Sequence, residues 1–269
     1  MTTVVCWRSV ADDGRVTLHF CSDSRFSDGK GTHWDLGRKL FFSRNFPDLF
    51  GFVGEALPPS VALNQLIDAI DSSSLGDRSI DPYQRMMDYK SHLDATIGTY
   101  PKQYSVEILF APRTDEDSIP VFNVWCIFFP AGLGRGTARV VPIPGKSSVL
   151  VGSFGTGKCN FDKTYGVVYS KPQGSLSRGV YWAFVDHLAS GKDKFSGGAP
   201  QIVRLRSKGV AIPVGISHNN KRYLLGIELK SNQLFQTRIE EWHDEKYQFI
   251  EPVTGLPRSG AQNIGRPIN

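Results

Sequence analysis

The sequence can place a hydroxyl nucleophile and its own base on a single residue, Thr2. If Met1 is removed, Thr2 gains a free α-amino group, whose pKa is about 7.7–8. A hydroxyl is a weak nucleophile by itself, and an adjacent amine that accepts its proton activates it. Because Thr2 is small, we expect loss of the initiator methionine without a pro-segment. The alternative interpretation is a starting methionine followed by an ordinary β-branched strand.

Two charged side chains stand where apolar strands begin or end. Asp23 belongs to the polar corner Ser22-Asp23-Ser24-Arg25, which directly follows a predicted strand. Lys39 precedes Leu40-Phe41-Phe42, so we expect its side chain to be partly desolvated. Burial lowers the pKa of a lysine, whereas a paired carboxylate restores its charged form. Each of these two side chains is therefore a candidate for site chemistry, with a surface turn and a lysine that extends to solvent as the alternatives.

Two glycine-containing stretches supply further polar candidates. Asp193 and Ser196 are three residues apart and directly precede Gly197-Gly198. Glycines allow a backbone turn that can bring both side chains close to another segment. Ser153 lies in the Gly-rich stretch Gly152–Lys158. Each stretch taken alone is also compatible with an ordinary surface turn or connection.

In this order, the stretches resemble the β-type subunits of proteasomes and their simpler bacterial relatives, which have an N-terminal threonine nucleophile. The resemblance covers about residues 2–230, and the Asp-x-x-Ser-Gly-Gly match is its most specific part. The segments that carry it are Met1-Thr2-Thr3-Val4-Val5, Asp23-Ser24-Arg25, Arg38-Lys39-Leu40-Phe41, Phe52-Val53-Gly54-Glu55-Ala56, Gly152-Ser153 and Asp193-Lys194-Phe195-Ser196-Gly197-Gly198.

The resemblance implies a threonine-type endopeptidase or related amidohydrolase. Thr2 would be the nucleophile, and its amine would act as the base through a water molecule. Lys39 would lower the proton affinity of both groups by its charge, and Asp23 would hold Lys39 charged and oriented. Neither a cofactor nor a metal is expected.

The resemblance also assigns supporting roles around the nucleophile. Hydrogen bonds at the amine end would come from three side chains: Ser153, Asp193 and Ser196. The backbone N–H of Gly54 would donate into the oxyanion hole, where one donor typically changes the rate on the order of 10²–10³-fold.

Apolar periodicity predicts an α+β fold. The resemblance further implies that this fold is a four-layer αββα sandwich. Alternation or apolar runs predict strands at Thr3–Trp7, Val16–Cys21, Arg38–Ser43, Leu49–Gly54, Ser105–Pro112, Val121–Phe129, Ala138–Pro142, Ser148–Val151, Pro200–Leu205, Ala211–Ile216 and Arg222–Leu229. Helical spacing predicts helices from Pro58 through Ile70, at Pro82–Ile97 and within Leu176–Leu188. We expect one domain over residues 2–240 and a C-terminal extension, 241–269, that is extended or partly disordered.

Composition restricts the partners. The net charge of +5 comes from scattered residues, which predicts a solvated surface and no nucleic-acid partner. No apolar run has the length of a membrane span and no signal peptide is evident, so we expect a cytoplasmic protein without a membrane partner. The four separated cysteines suit reduced thiols.

The resemblance implies a peptide or unfolded protein as substrate and an ATPase unfoldase or regulator as partner. It also implies a homo-oligomeric ring, which needs an apolar contact surface. Candidate contact residues come from two aromatic groups: Trp125, Phe128 and Phe129 in one, and Tyr181, Trp182 and Phe184 in the other.

Three alternatives stay open. Gly152-Ser153-Phe154-Gly155-Thr156-Gly157-Lys158 fits the G-x-x-x-x-G-K core of a phosphate-binding loop, although Cys159 stands where that loop needs a hydroxyl. A non-catalytic shell subunit would keep the fold and lack activity. A small-molecule amidohydrolase would use the same nucleophile on a different substrate.

Overall fold

The structure is a computed structural model that describes residues 2–28, 30–75, 81–116, 119–235 and 238–261. It has a mixed α+β fold. Its strands are β1 Thr3–Val10, β2 Val16–Ser22, β3 Phe26–Ser27, β4 His33–Trp34, β5 Leu40–Phe42, β6 Asp48–Gly54, β7 Val106–Glu116, β8 Ile119–Phe122, β9 Trp125–Phe129, β10 Thr137–Val140, β11 Val149–Gly155, β12 Gln201–Arg206, β13 Ile212–His218, β14 Lys221–Leu224, β15 Ile227–Leu229 and β16 Trp242–His243. Its helices are α1 Leu57–Asp71, α2 Pro82–Thr96, α3 Lys158–Tyr169, α4 Ser177–Ala189 and α5 Ser231–Leu234.

The strand β1 lies inside the larger of two main sheets. That sheet has the order β11-β1-β2-β12-β13-β14-β15, with β16 added on β13. The second sheet has the order β10-β9-β7-β6-β5, with β8 on β7. The register pairs Thr3 with Gly155 and Val4 with Ser22, so the start of β1 meets the ends of β11 and β2.

The two faces of β1 contact different parts of the core, because successive side chains of a strand point to opposite sides. Val4 and Cys6 belong to a cluster that contains residues of both sheets, including Leu109 of β7. Val5 and Trp7 belong to a cluster with residues of α3 and α4. A third cluster joins α1 and α2 to the second sheet. The same alternation assigns Thr2 to the face toward the second sheet and Thr3 to the face toward α4.

Two predicted strands are each divided in the structure. The predicted strand Val121–Phe129 is split between β8 and β9, which both pair with β7. The predicted strand Arg222–Leu229 is a hairpin of β14 and β15. Leu225 and Gly226 turn the chain there with φ of 49° and 88°, a left-handed conformation that an uninterrupted strand cannot contain.

The structure also contains α3, a helix that the sequence predicts only weakly. Gly166 and the neighbouring valines lower its intrinsic propensity. Its apolar contacts explain why it forms, since buried Phe161 packs among residues of α4. Tertiary packing therefore outweighs local propensity in this segment.

The described part of the C-terminal extension packs onto the larger sheet. Trp242 lies in β16, which runs parallel to β13, and its side chain is completely buried. Ile250 is 1% exposed and packs in the same small cluster as Trp242. Residues 262–269 of the extension lie outside the described residues.

Five of the six aromatic candidates for a ring contact are in the core. Trp125, Phe129, Tyr181, Trp182 and Phe184 are buried, whereas Phe128 is 40% exposed. The predicted contact surface is therefore reduced to Phe128 among these residues.

The helices within the described ranges are all too short or too polar to span a bilayer.

We predict that Trp242→Ala lowers the free energy of unfolding by about 3–5 kcal/mol, because it removes a fully buried indole. Phe235→Ala is the matched control, since Phe235 is 75% exposed and its loss should change stability by no more than about 0.5 kcal/mol. Urea unfolding measures both variants. Equal midpoints for Trp242→Ala and wild type would show that the extension contributes nothing to stability.

Candidate active site

A buried ion pair between Asp23 and Lys39 lies at the centre of the candidate site. Lys39 Nζ donates to both carboxylate oxygens of Asp23, each at 2.9 Å. Both side chains are completely buried. Asp23 follows the last residue of β2, and Lys39 directly precedes β5 in the other sheet. The pair therefore connects the two sheets.

The surroundings of Lys39 set its protonation. Burial lowers the pKa of the Lys39 ammonium, while the Asp23 carboxylate raises it. Lys39 Nζ also lies 5.7 Å from the centre of the Phe26 ring. The Lys39 N–H donates to Gln201 Oε1 at 3.1 Å, which fixes the backbone that carries the ammonium.

The ion pair is directly connected to the backbone beside Thr2. Asp23 Oδ1 accepts both from Lys39 Nζ and from the Thr3 N–H, the latter at 3.0 Å. That N–H belongs to the peptide bond that follows Thr2. Asp23 Oδ1 thus brings Lys39 next to the first residues of β1, on the face to which alternation assigns the Thr2 side chain.

Thr2 is 1% exposed in the chain of 269 residues, which includes Met1. While Met1 is attached, the Thr2 nitrogen is an amide and cannot accept a proton from a hydroxyl. Removal of Met1 would convert this amide into an amine.

The Thr3 hydroxyl joins a second polar network on the opposite face of β1. Thr3 Oγ1 lies 2.6 Å from Ser196 Oγ and 3.1 Å from His187 Nε2. Ser196 Oγ donates to Asp193 Oδ2 at 2.7 Å, and Thr156 Oγ1 donates to the same oxygen at 3.0 Å. Asp193 and Ser196 are therefore brought together, as their spacing predicts.

Ser153 is not part of this network. Its hydroxyl donates to Asp162 of α3 at 2.5 Å and accepts from Lys158 Nζ at 3.0 Å. The register explains this position, because Ser153 pairs with Val5, two pairs further along β1 than the pair of Thr3 with Gly155. The hydroxyl that reaches Asp193 is that of Thr156.

Sequence reasoning missed Thr156, His187 and the role of Thr3. Thr156 lies only three residues beyond Ser153 in the same Gly-rich stretch. The sequence pattern therefore identifies the stretch but not which of its hydroxyl groups contacts Asp193. His187 carries no sequence signal, because its position depends on how α4 packs against β1. Burial lowers the pKa of His187, and Asp193 and Asp23 oppose that shift.

Gly157 lies directly against the network of Thr3, His187 and Asp193. A Cβ built on Gly157 would lie 1.9 Å from Thr3 Oγ1, 2.7 Å from His187 Nε2 and 2.8 Å from Asp193 Oδ2. Such distances are far inside van der Waals contact. The absence of a side chain at Gly157 is therefore a condition for this network.

A cavity of about 590 Å³ opens between β11 and the second sheet; Thr2 does not line it, but the lining residue Gly155 lies against the Thr2 carbonyl group. Gly54, Val53 and Gly155 are among its lining residues. A Cβ built on Gly155 would lie 1.9 Å from the Thr2 carbonyl oxygen and 3.2 Å from Val53 Cβ. Gly54 has φ of 104° at the end of β6, a left-handed conformation that glycine adopts most readily. The cavity has the size of a typical small-ligand or side-chain pocket.

The geometry of the Gly-rich stretch does not suit a phosphate-binding loop. Gly152 to Gly155 lie within β11 and are paired with β1, so this part of the stretch is an extended strand. Lys158 Nζ is 3.1 Å from Asp162 Oδ2. A phosphate-binding loop instead curves so that successive backbone N–H groups point to one anion. In the described part of the chain, no group of three or more His, Cys, Asp or Glu side chains could hold a metal ion.

Comparisons with known proteins add a structural likeness only. No family model matches the chain, and no curated protein matches it. Among solved structures, the chain is similar to the crystal structure of eukaryotic HslV from Trypanosoma brucei, with 13% sequence identity and a TM-score of 0.45. The match covers 75% of this chain and 98% of that chain. A likeness this distant carries no functional conclusion. The function proposed below is therefore based on the geometry of the site.

We predict that Gly157→Ala destabilises the fold by about 1–3 kcal/mol and separates the polar groups around Thr3, because the new methyl group has no room. Gly166→Ala, within α3, is the control, whereas Gly157 is the N-cap residue just before that helix. No heavy atom lies within 4 Å of the Cβ added at Gly166, so the helix should gain about 0.5–1 kcal/mol. Thermal and urea unfolding distinguish the two. Equal stabilities of the two variants would contradict the geometry described for Gly157.

Proposed function

We propose that the protein is an N-terminal-threonine hydrolase that cleaves peptide bonds, with Thr2 as nucleophile after removal of Met1. The observation that carries this proposal is the buried Asp23–Lys39 pair, which shares the oxygen Asp23 Oδ1 with the N–H that directly follows Thr2. A buried charge pair is costly to maintain and weak evidence for stability by itself. The Asp23–Lys39 pair has a catalytic use in this proposal because it lies beside Thr2. After removal of Met1, that residue carries both a hydroxyl and a free amine.

In the proposed reaction, the Thr2 amine takes the hydroxyl proton, directly or through water, while Thr2 Oγ1 attacks the carbonyl carbon. The positive charge of Lys39 stabilises the developing alkoxide. The tetrahedral intermediate collapses with cleavage of the C–N bond, and the Thr2 ammonium returns its proton to the departing amine. Water then hydrolyses the acyl ester, the amine again serving as base. The complete cycle of acylation and hydrolysis leaves the residues as they began.

The second network holds the start of β1 in place for this chemistry. Asp193 accepts from Ser196 and Thr156, and Ser196 contacts the Thr3 hydroxyl. These bonds position the peptide bond between Thr2 and Thr3, whose N–H is already held by Asp23. We propose that Thr156, in place of Ser153, is the residue of the Gly-rich stretch that supports the start of β1 by hydrogen bonding.

Gly54 is the proposed backbone donor to the oxyanion, since it lines the cavity whose lining residue Gly155 lies against the Thr2 carbonyl group. The cavity would then hold a substrate side chain next to the nucleophile. Its lining includes Glu107 and Arg139, so it offers both signs of charge together with apolar surface.

The proposal extends to the architecture and assembly of the protein. We propose a four-layer order of helices, sheet, sheet and helices, which is supported by one core cluster between the sheets and one under each helix pair. A homo-oligomeric ring would restrict the nucleophile to peptides or unfolded chains, which an ATPase unfoldase or regulator could deliver.

We predict that Thr2→Ala abolishes peptide hydrolysis and leaves the unfolding midpoint nearly unchanged, because only the hydroxyl and a methyl group are lost. Thr2→Ser is the matched control and should keep measurable activity, since it retains both hydroxyl and amine. Turnover of a fluorogenic peptide measures activity, and intact mass gives the N-terminus. Full activity in a preparation that retains Met1 would refute the mechanism, because an acylated nitrogen cannot act as the base.

We predict that Lys39→Met loses about 10²–10³-fold or more in kcat, as the loss of an electrostatic stabiliser should. It should also lose about 3–5 kcal/mol of stability, because Asp23 is left as an unpaired buried charge. Stability loss alone could mimic the effect on activity, so a control with a similar defect is needed.

Arg85→Met supplies that control. Arg85 and Asp48 form another buried pair, 3.5 Å apart, between α2 and the start of β6. Its loss should destabilise the fold to a similar extent while sparing kcat at a temperature where both variants are folded. Equal kcat values for the two variants would reduce Lys39 to a structural residue.

A further inference from the structure

A second cavity, of about 430 Å³, lies far from Thr2 along the same strand. Four segments contribute to its lining: 9–12 at the end of β1, 176–178 at the start of α4, 246–249 after β16, and 260–261. Ser148, Arg204 and His243 complete it. Thr2 and Ser9 are seven residues apart, which in an extended strand is roughly 23 Å. The cavity is within the size range of small-molecule sites and is separate from the candidate active site.

The charge of the lining favours an anion. Arg178, Arg204 and Lys246 line the cavity, and of the lining residues only Asp12 carries a carboxylate. Arg204 is paired with Glu241, which is not a lining residue. Burial lowers the pKa of Arg178, which is the cost of holding a cation in this setting without full hydration. An anionic ligand would offset that cost.

The start of α4 points to the same ligand charge. Leu176 occupies the N-cap position and has no side-chain oxygen with which to cap the helix. The Ser177 hydroxyl is engaged by Trp7 Nε1 at 2.5 Å. A helix N-terminus carries partial positive charge and exposed N–H groups, which favour an anion.

Two lining side chains, Arg204 and His243, are largely buried and lie behind the more accessible cations. Arg204 is 8% exposed, and its Nε–H has no hydrogen-bond partner within the described ranges. The other two guanidinium nitrogens contact Glu241, His243 and Tyr247. His243 Nδ1 is likewise buried without a partner among the described residues. Buried polar atoms of this kind are normally satisfied by protein, water or ligand.

The remaining lining is apolar or aromatic. Val10, Leu176, Tyr247 and Phe249 all line the cavity, and Phe249 is 40% exposed. A lining of cationic side chains alone would suit a free inorganic anion. A lining of both cationic and apolar side chains suits an organic anion with an apolar group. We propose that the cavity binds a small organic anion, in which a phosphate or carboxylate head group meets Arg178 and Lys246 and an aromatic body meets the apolar side chains.

Isothermal titration of the full chain with phenyl phosphate tests this proposal. We expect one saturable site, and at least tenfold weaker binding of inorganic phosphate and of the neutral analogue benzamide. Benzoate separates the two head groups, and a site for either phenyl phosphate or benzoate supports the proposal. Failure of both to bind would overturn it, as would benzamide or inorganic phosphate binding as tightly as the organic anions.

Substitutions of lining residues then test whether the anion binds in this cavity. Arg178→Gln and Lys246→Gln should each weaken the preferred probe about tenfold, the usual consequence of losing one charge-assisted hydrogen bond. Lys163→Gln is the matched control for the change in charge, because Lys163 is exposed on α3 and does not line the cavity. It should leave the Kd within about twofold. Unchanged affinity in the Arg178→Gln/Lys246→Gln double variant, with an unfolding midpoint near that of wild type, would assign any binding to another place and refute the proposal.

Discussion

The candidate active site depends on one buried carboxylate, Asp23. A charge that is completely buried must be paired and hydrogen-bonded, or the free-energy cost of its desolvation is prohibitive. Asp23 meets this condition with four donors: Lys39 Nζ and the backbone N–H groups of Thr3, Arg25 and Gly197. These donors come from both sheets and from the loop before β12. Satisfying one carboxylate therefore fixes the relative positions of the first strand, the lysine and the Asp-x-x-Ser-Gly-Gly segment.

The alternation of β1 separates two tasks. On the face toward the second sheet are the Thr2 position and Lys39, next to the cavity lined by Gly54. On the opposite face, Thr3 contacts Ser196 and His187, and Ser196 contacts Asp193. In the proposed mechanism, side chains on the first face perform the chemistry. Contacts on the second face fix the position of β1. A one-residue shift of register would exchange the two faces, so the strand pairing is itself part of the site.

The sequence predicts those parts of the site that depend on local pattern. Asp23 and Lys39 are predictable because each polar residue adjoins an apolar strand, and Asp193 and Ser196 because of the two glycines that follow. In contrast, the contact of Thr156 with Asp193, where Ser153 was expected, follows from the continuation of β11 through Gly155. The contact of His187 with Thr3 depends on the packing of α4, and the burial of Trp242 on the pairing of β16 with β13. Such relations between distant segments leave no periodic signal in a single chain.

In the proposed mechanism, Thr2 presents both the hydroxyl that attacks the substrate carbon and the free amine that acts as its base. A peptide epoxyketone tests it directly, because its two electrophilic carbons can react with both groups of one N-terminal residue to close a ring. After incubation with the full protein, peptide mass mapping should find the adduct on an N-terminal peptide that begins at Thr2, and none in the Thr2→Ala variant. Adduct on another residue, or no adduct on protein whose N-terminus is shown to be Thr2, would contradict the account.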